Sequence, residues 1–350
     1  MSKKTGFAVV GLGMGRHHCK AISAAPRAQL VAVCDTDEER LSATSIEYSC
    51  KAYKDYHELL NDEEVEVVNI ATPSGMHAKM GIEAATAGKH MIVEKPADIQ
   101  PGRVEALIAA GRENRVKIAG IFQARLDPLN IRIREAVVSG RIGKLIGVHG
   151  HLPWYRAQSY YEGTHGKWKG TWGMDGGGSL MNQGVHTVDL LQWIAGPVEA
   201  VSGMYGVFAH EIEAEDQSVA VMRFKNGALG TLYTTTCCYP GYDQRIMLYG
   251  TDGSVSKIHS ELEGWKLKSD EGNVEERELL SLYGANKEVS GSSDPMAVGF
   301  DGHTQIIVDM CESIADDRSP LITLDSARHA VEIINGIFES ARSGKEVKVG

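Results

Sequence analysis

The 350-residue sequence has no apolar run long enough to cross a membrane. A spanning helix needs about 18 or more consecutive, mostly apolar residues. The first apolar run, Phe7 to Val10, is also far too short for the core of a secretory signal peptide. These two absences predict a cytoplasmic protein with no membrane partner.

A surplus of basic residues is also missing. The 46 Asp and Glu residues outnumber the 36 Lys and Arg residues, which gives a formal net charge of −10. Proteins that bind nucleic acid neutralise its phosphates with a basic face, and anionic membrane surfaces attract basic segments. We therefore expect neither nucleic acid nor a membrane surface as a partner.

The six cysteines include no Cys-x-x-Cys pair, a spacing typical of zinc and redox sites. Cys237 and Cys238 are adjacent, which suits an ordinary disulfide poorly. The neighbouring His17 and His18, and His210 further along, lack the spacing of zinc ligands. The sequence predicts reduced, mostly buried cysteines and no metal.

The first third of the chain alternates short apolar runs with helical patterns. The runs predict strands at Phe7–Val10, Leu30–Cys34, Val65–Ile70, His90–Val93 and Lys117–Phe122. Apolar strands that alternate with helices are typical of a parallel sheet covered on both faces. We predict an α/β domain over residues 1–124.

The pattern changes after about Arg125, where the predicted strands become longer and more amphipathic. Val219 to Thr236 reads as a β-hairpin with a two-residue turn, Asn226-Gly227. A loop is expected at Gly284 to Ser293, followed by two helices. Residues 125–350 are therefore predicted to form an α+β domain with a mostly antiparallel sheet.

A glycine cluster follows the first predicted strand. Gly11, Gly13 and Gly15 let the backbone turn sharply and approach a pyrophosphate, which the next helix N-terminus attracts. The spacing departs from the usual G-x-G-x-x-G because the third glycine comes one residue early. Asp35 ends the second strand, where a carboxylate binds the adenosine ribose and repels a 2′-phosphate. This pattern favours NAD over NADP; the alternative is a tight turn followed by a capped helix.

Polar residues follow the third and fourth strands. Thr72 and Pro73 come after one of them, and Glu94, Lys95 and Pro96 after the other. Ligands bind outside the carboxyl ends of the strands in open α/β sheets. Lys95 is placed to direct an ammonium at a reacting oxygen, although a solvated surface lysine is the alternative.

The third candidate segment runs from Gly176 to Asp189. If it is helical from about Ser179, then Asn182, His186 and Asp189 fall at i, i+4 and i+7 and share a polar face. Histidine is the side chain best suited to proton transfer near neutral pH. We predict a functional polar face here; a structural histidine is the alternative.

Together these segments resemble the Gfo/Idh/MocA oxidoreductases, named for glucose-fructose oxidoreductase and inositol dehydrogenase. The resemblance covers essentially the whole chain. It rests on Arg16-His17-His18 after the glycine turn, Ala71-Thr72-Pro73-Ser74-Gly75-Met76-His77, Glu94-Lys95-Pro96, Trp168-Lys169-Gly170-Thr171-Trp172, Asp175-Gly176-Gly177-Gly178 and Asn182-x-x-x-His186.

The resemblance implies an N-terminal Rossmann domain, a C-terminal domain with a large open antiparallel sheet, and homodimers or homotetramers formed through such sheets. It implies NAD-dependent hydride transfer at a hydroxyl or keto carbon of a sugar, sugar acid, cyclitol or nucleotide sugar. Lys95 and His186 match the catalytic lysine and histidine, and Asn182 stands where many relatives carry aspartate. That departure removes a carboxylate from the proton-transfer network and favours His186 as the base.

The expected binding residues fall into two sets. The cofactor set is Gly11, Gly13, Met14, Gly15, Arg16, His18, Asp35, Thr72, Pro73, His77, Glu94, Lys95, Gln123 and Trp168. The substrate set is Lys95, Arg125, Arg156, Tyr160, Tyr161, Trp168, Asn182, His186 and Asp189.

Two other functions remain open on the sequence. Some relatives retain NAD, oxidise a sugar carbon transiently and return the hydride, so that they act as redox-neutral glycosidases or lyases. A non-catalytic sensor of NAD or a sugar is the third reading, against which the presence of both Lys95 and His186 counts.

Overall fold

The computed structural model describes residues 3–285 and 301–350. The loop expected at Gly284 to Ser293 lies outside the described residues from position 286 onward. The chain divides into two compact units, residues 1–123 with 299–328 and residues 124–298 with 329–350. The prediction that 125–350 form one domain is therefore wrong for residues 299–328. Helix α10 (Asp301–Ala315) packs against the first helix of the chain, so the first unit is not continuous in sequence.

The first unit contains a six-stranded parallel sheet in the order β3-β2-β1-β4-β5-β6. Its strands are β1 (Thr5–Val10), β2 (Ala28–Cys34), β3 (Lys51–Tyr53), β4 (Val67–Ile70), β5 (His90–Val93) and β6 (Ile118–Gly120). This is the strand order of the Rossmann fold, and it reverses between β1 and β4. Strand β3 was not predicted because it is three residues long and has two exposed positions.

The helices of the first unit follow the strands. They are α1 (Gly15–Ala24), α2 (Glu38–Tyr48), α3 (Tyr56–Leu60), α4 (His77–Thr86), α5 (Pro101–Glu113) and α10, with a 3₁₀ turn at Ser74–Met76. The central strands are buried along their length and mostly apolar, as in β4, where Asn69 is the one polar residue. This burial fits a parallel sheet whose faces are covered by helices.

The second unit contains an eight-stranded sheet in the order β13-β12-β11-β7-β10-β9-β8-β14. Its strands are β7 (Leu145–Pro153), β8 (Val198–Gly206), β9 (Gln217–Phe224), β10 (Leu229–Thr235), β11 (Arg245–Gly250), β12 (Gly253–Ile258), β13 (Glu261–Leu267) and β14 (Val347–Lys348). Only β7 and β10 run parallel; the other neighbouring pairs are antiparallel. The predicted mostly antiparallel sheet is confirmed.

The β9–β10 hairpin has a three-residue loop, so the predicted two-residue turn is wrong. The N–H of Gly227 donates to the Phe224 carbonyl at 2.9 Å, and the N–H of Phe224 donates to the Ala228 carbonyl. Gly227 has a φ of 88°, in the left-handed region that favours glycine. Lys225 therefore belongs to the loop, because a turn closed by a glycine bulge uses three residues.

One face of the second sheet packs against helices. The helices of this unit are α6 (Pro128–Val138), α7 (Gly163–Gly166), α8 (Val185–Ala195), α9 (Val274–Tyr283) and, from His329 onward, α11 (Leu324–Ser343). Short 3₁₀ segments occur at Gln123–Leu126, Gln158–Tyr161 and Glu271–Asn273, and a π-helix precedes α8 at Ser179–Gly184. Within the described parts of the chain, every helix is too short or too polar to span a bilayer. All six cysteines are free thiols.

Candidate active site

The turn between β1 and α1 is built on three glycines. Gly11 has a φ of 87°, and a Cβ there would lie 2.6 Å from the Ala71 carbonyl oxygen. A Cβ at Gly15 would meet Val9 at 2.8 Å, so this glycine lets α1 pack closely on β1. Gly13 is open, with its nearest neighbour 3.7 Å away. The glycines thus fit a dinucleotide at the α1 N-terminus, beside the exposed Met14 and Arg16.

Asp35 holds this turn to the end of β2. Its Oδ2 accepts from the N–H of Leu12 at 2.6 Å, and its Oδ1 accepts from the N–H of Asp37 at 2.8 Å. The N-cap of α2 is Asp37, whose side chain accepts from the N–H groups of Glu39 and Arg40. Asp35 is therefore not the helix cap, and its half-buried carboxylate keeps further lone pairs for ribose hydroxyls.

Lys95 follows β5 directly, at the carboxyl end of the sheet. The side chain is half-buried, and the Lys95–Pro96 peptide bond is cis. Its N–H donates to Oε2 of the preceding Glu94 at 2.9 Å. The neighbouring carboxylate thus fixes the backbone from which the ammonium projects.

A buried relay joins Glu94 to α1. Oε1 of Glu94 accepts from His18 Nε2 at 2.9 Å, and His303 Nε2 of α10 lies 3.6 Å from the same oxygen. Asn69 Nδ2 donates to His18 Nδ1 at 3.0 Å. Burial alone would raise the pKa of Glu94, but the hydrogen bonds from both histidines outweigh it and hold that pKa well below its usual range. Burial lowers the pKa of His18, partly offset by Glu94.

This relay changes the interpretation of two residues expected to contact the cofactor. Both ring nitrogens of His18 and both oxygens of Glu94 already have protein partners. We therefore infer that they act on the site through α1 and Lys95. The sequence offered no signal for His303 beyond its place in a C-terminal helical pattern, because only the fold brings α10 against α1.

His77 connects the two loops that follow β4 and β5. Its Nε2 lies 2.8 Å from the Thr72 carbonyl oxygen, and its Nδ1 lies 2.7 Å from the Pro96 carbonyl oxygen. The ring is buried, so we interpret it as a support for both loops. Thr72, Pro73 and Gln123 are half-buried and remain candidates for the cofactor.

In the second unit, a buried carboxylate anchors the glycine-rich segment. Glu215 accepts from the N–H groups of Gly178, Ser179 and Leu180 at 2.9, 3.2 and 2.9 Å, and from Ser179 Oγ at 2.5 Å. A Cβ on Gly178 would lie 1.9 Å from the Glu215 carbonyl oxygen. The glycines therefore serve the close approach of this segment to Glu215, a residue that the sequence analysis missed.

The helix that begins here is not α-helical throughout. Ser179–Gly184 is a π-helix, and α8 begins at Val185. The prediction of a continuous α-helix from Ser179 is wrong, since a π-helix has more residues per turn and alters the i, i+4 relation of Asn182 and His186. The half-buried His186 lies in the first turn of α8.

Asn182 belongs to a network of polar side chains. Its Nδ2 donates to the buried Asp175 at 2.6 Å, and its Oδ1 accepts from Gln183 Nε2 at 2.8 Å. Gln183 Nε2 also donates to the Tyr160 hydroxyl at 3.0 Å, and its Oε1 accepts from Arg156 at 3.3 Å. Three predicted substrate residues are thus brought together by Gln183, which the sequence analysis did not single out.

The aromatic and cationic groups of this network are stacked. The Arg156 guanidinium lies 5.0 Å from the Trp154 ring centroid and 5.6 Å from that of Tyr160, and Lys169 Nζ lies 3.6 Å from the latter. Burial raises the pKa of Tyr160 to about 12, with a further contribution from Asp175. Tyr160 therefore stays protonated near neutral pH and can both donate and accept hydrogen bonds.

Three expected substrate residues are placed differently. Arg125 and Asp189 form a buried bidentate pair at 2.8 and 2.5 Å, and they are only 4% and 1% exposed. The Tyr161 hydroxyl donates to Thr236 at 2.9 Å, and its ring is also buried. The structure argues against direct substrate contact for these three side chains. Trp168 is half-buried and remains a candidate.

Among the residues that the structure describes, two clusters bring possible metal ligands within 4.8 Å of one another, although no metal was expected. They are His18 with Glu94 and His303, and His210 with Asp216 and Cys237. In the second, His210 Nδ1 lies 3.1 Å from Asp216 and 3.7 Å from Cys237 Sγ, and Asp216 also accepts three backbone N–H groups. Hydrogen bonds account for both arrangements, and we propose no metal for either.

Comparisons with known proteins agree with these two units. Residues 5–121 match the model of an oxidoreductase family with an NAD-binding Rossmann fold, and residues 131–256 match the GFO/IDH/MocA C-terminal domain. Myo-inositol 2-dehydrogenase of Thermotoga maritima is 30% identical over 256 residues, which cover 71% of this chain and 73% of the relative. The NAD(+)-dependent scyllo-inositol 2-dehydrogenase of Bacillus subtilis is 28% identical over 266 residues, 73% and 74% of the two chains.

A solved structure extends the likeness to the full length. The WlbA dehydrogenase of Bordetella pertussis, in complex with NADH and UDP-GlcNAcA, is 29% identical and superposes with a TM-score of 0.89. The match covers 100% of this chain and 99% of that one. With the glycine turn, Asp35 and the matching second unit, these findings assign the chain to the Gfo/Idh/MocA family of oxidoreductases, with NAD as its cofactor.

Proposed function

We propose that this protein is an NAD-dependent dehydrogenase that acts on a secondary hydroxyl, or the corresponding ketone, of a sugar, sugar acid, cyclitol or nucleotide sugar. The observation that carries the proposal is Lys95 at the carboxyl end of β5, in the same sheet as the glycine turn and Asp35. The relatives named above act on inositols or bind a nucleotide sugar acid.

Bound NAD supplies the hydride acceptor for oxidation. Lys95 hydrogen-bonds the reacting oxygen, so that its ammonium stabilises the alkoxide character that develops there. Glu94, fixed by His18, holds the Lys95 backbone.

His186 takes the hydroxyl proton as the general base. It lies in the first turn of α8, directly after the π-helix that carries Asn182. Asn182 orients the substrate or His186. Its amide oxygen accepts from Gln183, and its amide nitrogen donates to the carboxylate of Asp175.

Tyr160 and Trp168 recognise the substrate. Tyr160 offers a hydroxyl that donates and accepts, and the rings supply faces on which a sugar ring packs. Arg156, which was also expected to contact the substrate, is only 3% exposed and donates to the Tyr155 carbonyl and to Gln183. Arg156 therefore supports the Asn182 network and does not contact the substrate.

The test begins with cofactor released from purified protein by denaturation and identified by mass. A panel of cyclitols, sugars, sugar acids and nucleotide sugars is then followed at the NADH absorbance. Exchangeable NAD with substrate-dependent NADH formation supports the proposal. Tightly retained NAD with no accumulating NADH but altered products points to the redox-neutral glycosidase or lyase, and NAD binding without any turnover points to a sensor.

Lys95→Met provides the matched variant. The change removes the ammonium and leaves the glycine turn and Asp35 intact, so NAD should bind with unchanged affinity while turnover falls to background. NAD affinity is measured by fluorescence titration beside the steady-state assay. Full activity of this variant would rule out the role of Lys95.

We also propose that the protein is a cytoplasmic homodimer or homotetramer that associates through the open face of the second sheet. That face exposes apolar side chains, including Val219, Val221 and Leu229 at 47%, 55% and 57%. Exposed apolar residues grouped on one face are typical of protein interfaces.

A further inference from the structure

The buried carboxylate of Glu215 lies outside the residues proposed for catalysis, yet it faces the segment that carries Asn182. It comes two residues before β9, beside the Ser179–Gly184 π-helix, and it is fully buried. A buried carboxylate is costly unless it is well hydrogen-bonded. Here it accepts from three successive N–H groups and one hydroxyl.

The three N–H donors lie at the start of the π-helix. The first N–H groups of a helix have no partner within the helix, and a carboxylate there also interacts favourably with the positive end of the helix dipole. In addition, the Ser179 N–H lies 3.1 Å from the Glu215 carbonyl oxygen. Main chain and side chain of Glu215 therefore bind the same short segment.

The anchored segment determines where Asn182 lies. A π-helix is less stable than an α-helix and is frequent at functional sites, where the surrounding structure maintains it. Asn182 is the fourth residue of this π-helix, and His186 follows in the next helical turn. A shift from π to α geometry would rotate Asn182 about the helix axis relative to Asp175, which lies outside the π-helix.

We propose that Glu215 is a positioning residue for the reaction, which holds Ser179–Gly184 in π-helical geometry and thereby orients Asn182 and His186. This inference rests on the proposed dehydrogenase function. It predicts that loss of the Glu215 hydrogen bonds lowers kcat for the sugar or cyclitol reaction while the first unit binds NAD as before.

Three variants test it, with the most active compound from the substrate panel. Glu215→Gln puts an amide NH₂ opposite N–H and O–H donors. Ser179→Ala removes one hydroxyl that donates to Glu215 and keeps the carboxylate. Ser340→Ala is the control, because its buried hydroxyl accepts from the Gly203 N–H at 3.2 Å and belongs to a different contact of the same unit.

We expect kcat to fall about tenfold or more in Glu215→Gln and by a smaller factor in Ser179→Ala, with the dissociation constant of NAD unchanged, because small displacements of reacting groups cost large factors in rate. Ser340→Ala should keep the wild-type kcat. A primary deuterium effect on kcat should also increase in Ser179→Ala as the hydride step becomes slower.

Two results would overturn the inference: wild-type kcat in both Glu215→Gln and Ser179→Ala, or an equal loss in Ser340→Ala. If Glu215→Gln does not fold, Ser179→Ala decides. Failure of the proposed function is distinct, since the wild-type protein would then reduce no NAD with any compound of the panel.

Discussion

At the scale of single residues, the site depends on buried groups whose partners decide their charge and direction. Glu94 and Glu215 are both buried carboxylates, but they differ in the sign of their pKa shift. Hydrogen bonds from His18 and His303 outweigh burial at Glu94. At Glu215 burial outweighs the hydrogen bonds from Ser179 and its neighbours and raises the pKa to about 7.

This pKa predicts a pH-dependent stability. The pKa of Glu215 is higher in the folded state than the unperturbed value of 4.5, so its contribution to stability is fully present below pH 4.5 and is lost as pH rises through about 7. Relative to Glu215→Gln, the wild-type protein should lose roughly 3 kcal/mol between pH 4.5 and 7.5, at about 1.4 kcal/mol per pKa unit. Urea unfolding of both proteins at several pH values measures it; a constant difference would contradict the pKa.

Cofactor choice is a second prediction at this scale. Asp35→Asn keeps an oxygen that can accept from the Leu12 N–H and removes the charge that repels a 2′-phosphate. The ratio of kcat/KM for NADP to that for NAD should rise about tenfold, equivalent to about 1.4 kcal/mol. Steady-state kinetics with both cofactors measure this ratio. An unchanged ratio would remove Asp35 from the explanation of NAD preference.

At the scale of elements, the glycine-rich segment and the π-helix are held together by the same contacts to Glu215. Gly178 has an ordinary φ of −117°, so its requirement for glycine is steric and comes from the Glu215 carbonyl oxygen. The three glycines predicted the start of a helix, and a helical segment does begin directly after them. The sequence pattern could not indicate the π-turn, because the backbone geometry of that turn depends on the carboxylate supplied by a residue far along the chain.

Gly178→Ala should therefore destabilise the protein by about 1–3 kcal/mol, as for other overpacked sites, and should lower activity. Gly173→Ala is the matched control in the same region, since a Cβ there meets nothing within 4 Å. Its stability should stay within about 0.5 kcal/mol of the wild type. Thermal and urea unfolding compare the two. Equal stabilities would show that the segment adapts to a side chain at position 178.

At the scale of the whole molecule, the second sheet has one face covered by helices and one face in solvent. Along β9, buried Ala220 and Met222 alternate with exposed Val219 and Val221. A strand with apolar residues on its solvent face as well as on its buried face indicates that the outer face also packs against a partner. The proposed homo-oligomer supplies it.

Val221→Lys should weaken this association, because it places a charge at the centre of an apolar interface. Val138→Lys is the control, as Val138 is also exposed, at 68%, but lies at the end of α6 rather than on the sheet. Light scattering coupled to size-exclusion chromatography should show a smaller mass for Val221→Lys alone. A monomeric wild type, or an unchanged mass for Val221→Lys, would contradict the proposed interface.

The sequence by itself determined the features that depend on local pattern. Apolar runs separated by helical patterns predicted the parallel sheet, the glycine turn with Asp35 predicted NAD, and the motifs around Lys95 and His186 predicted the family. Each of these is carried by residues close together in the chain, where side-chain periodicity and backbone freedom act directly.

Tertiary structure decided the features that depend on residues far apart. It placed α10 in the first unit, joined His303 to Glu94, paired Arg125 with Asp189, and set Glu215 against Ser179. These contacts share a physical reason. A buried charged side chain is stable only with a hydrogen-bonding or ionic partner, and the local sequence pattern does not predict which distant residue provides it.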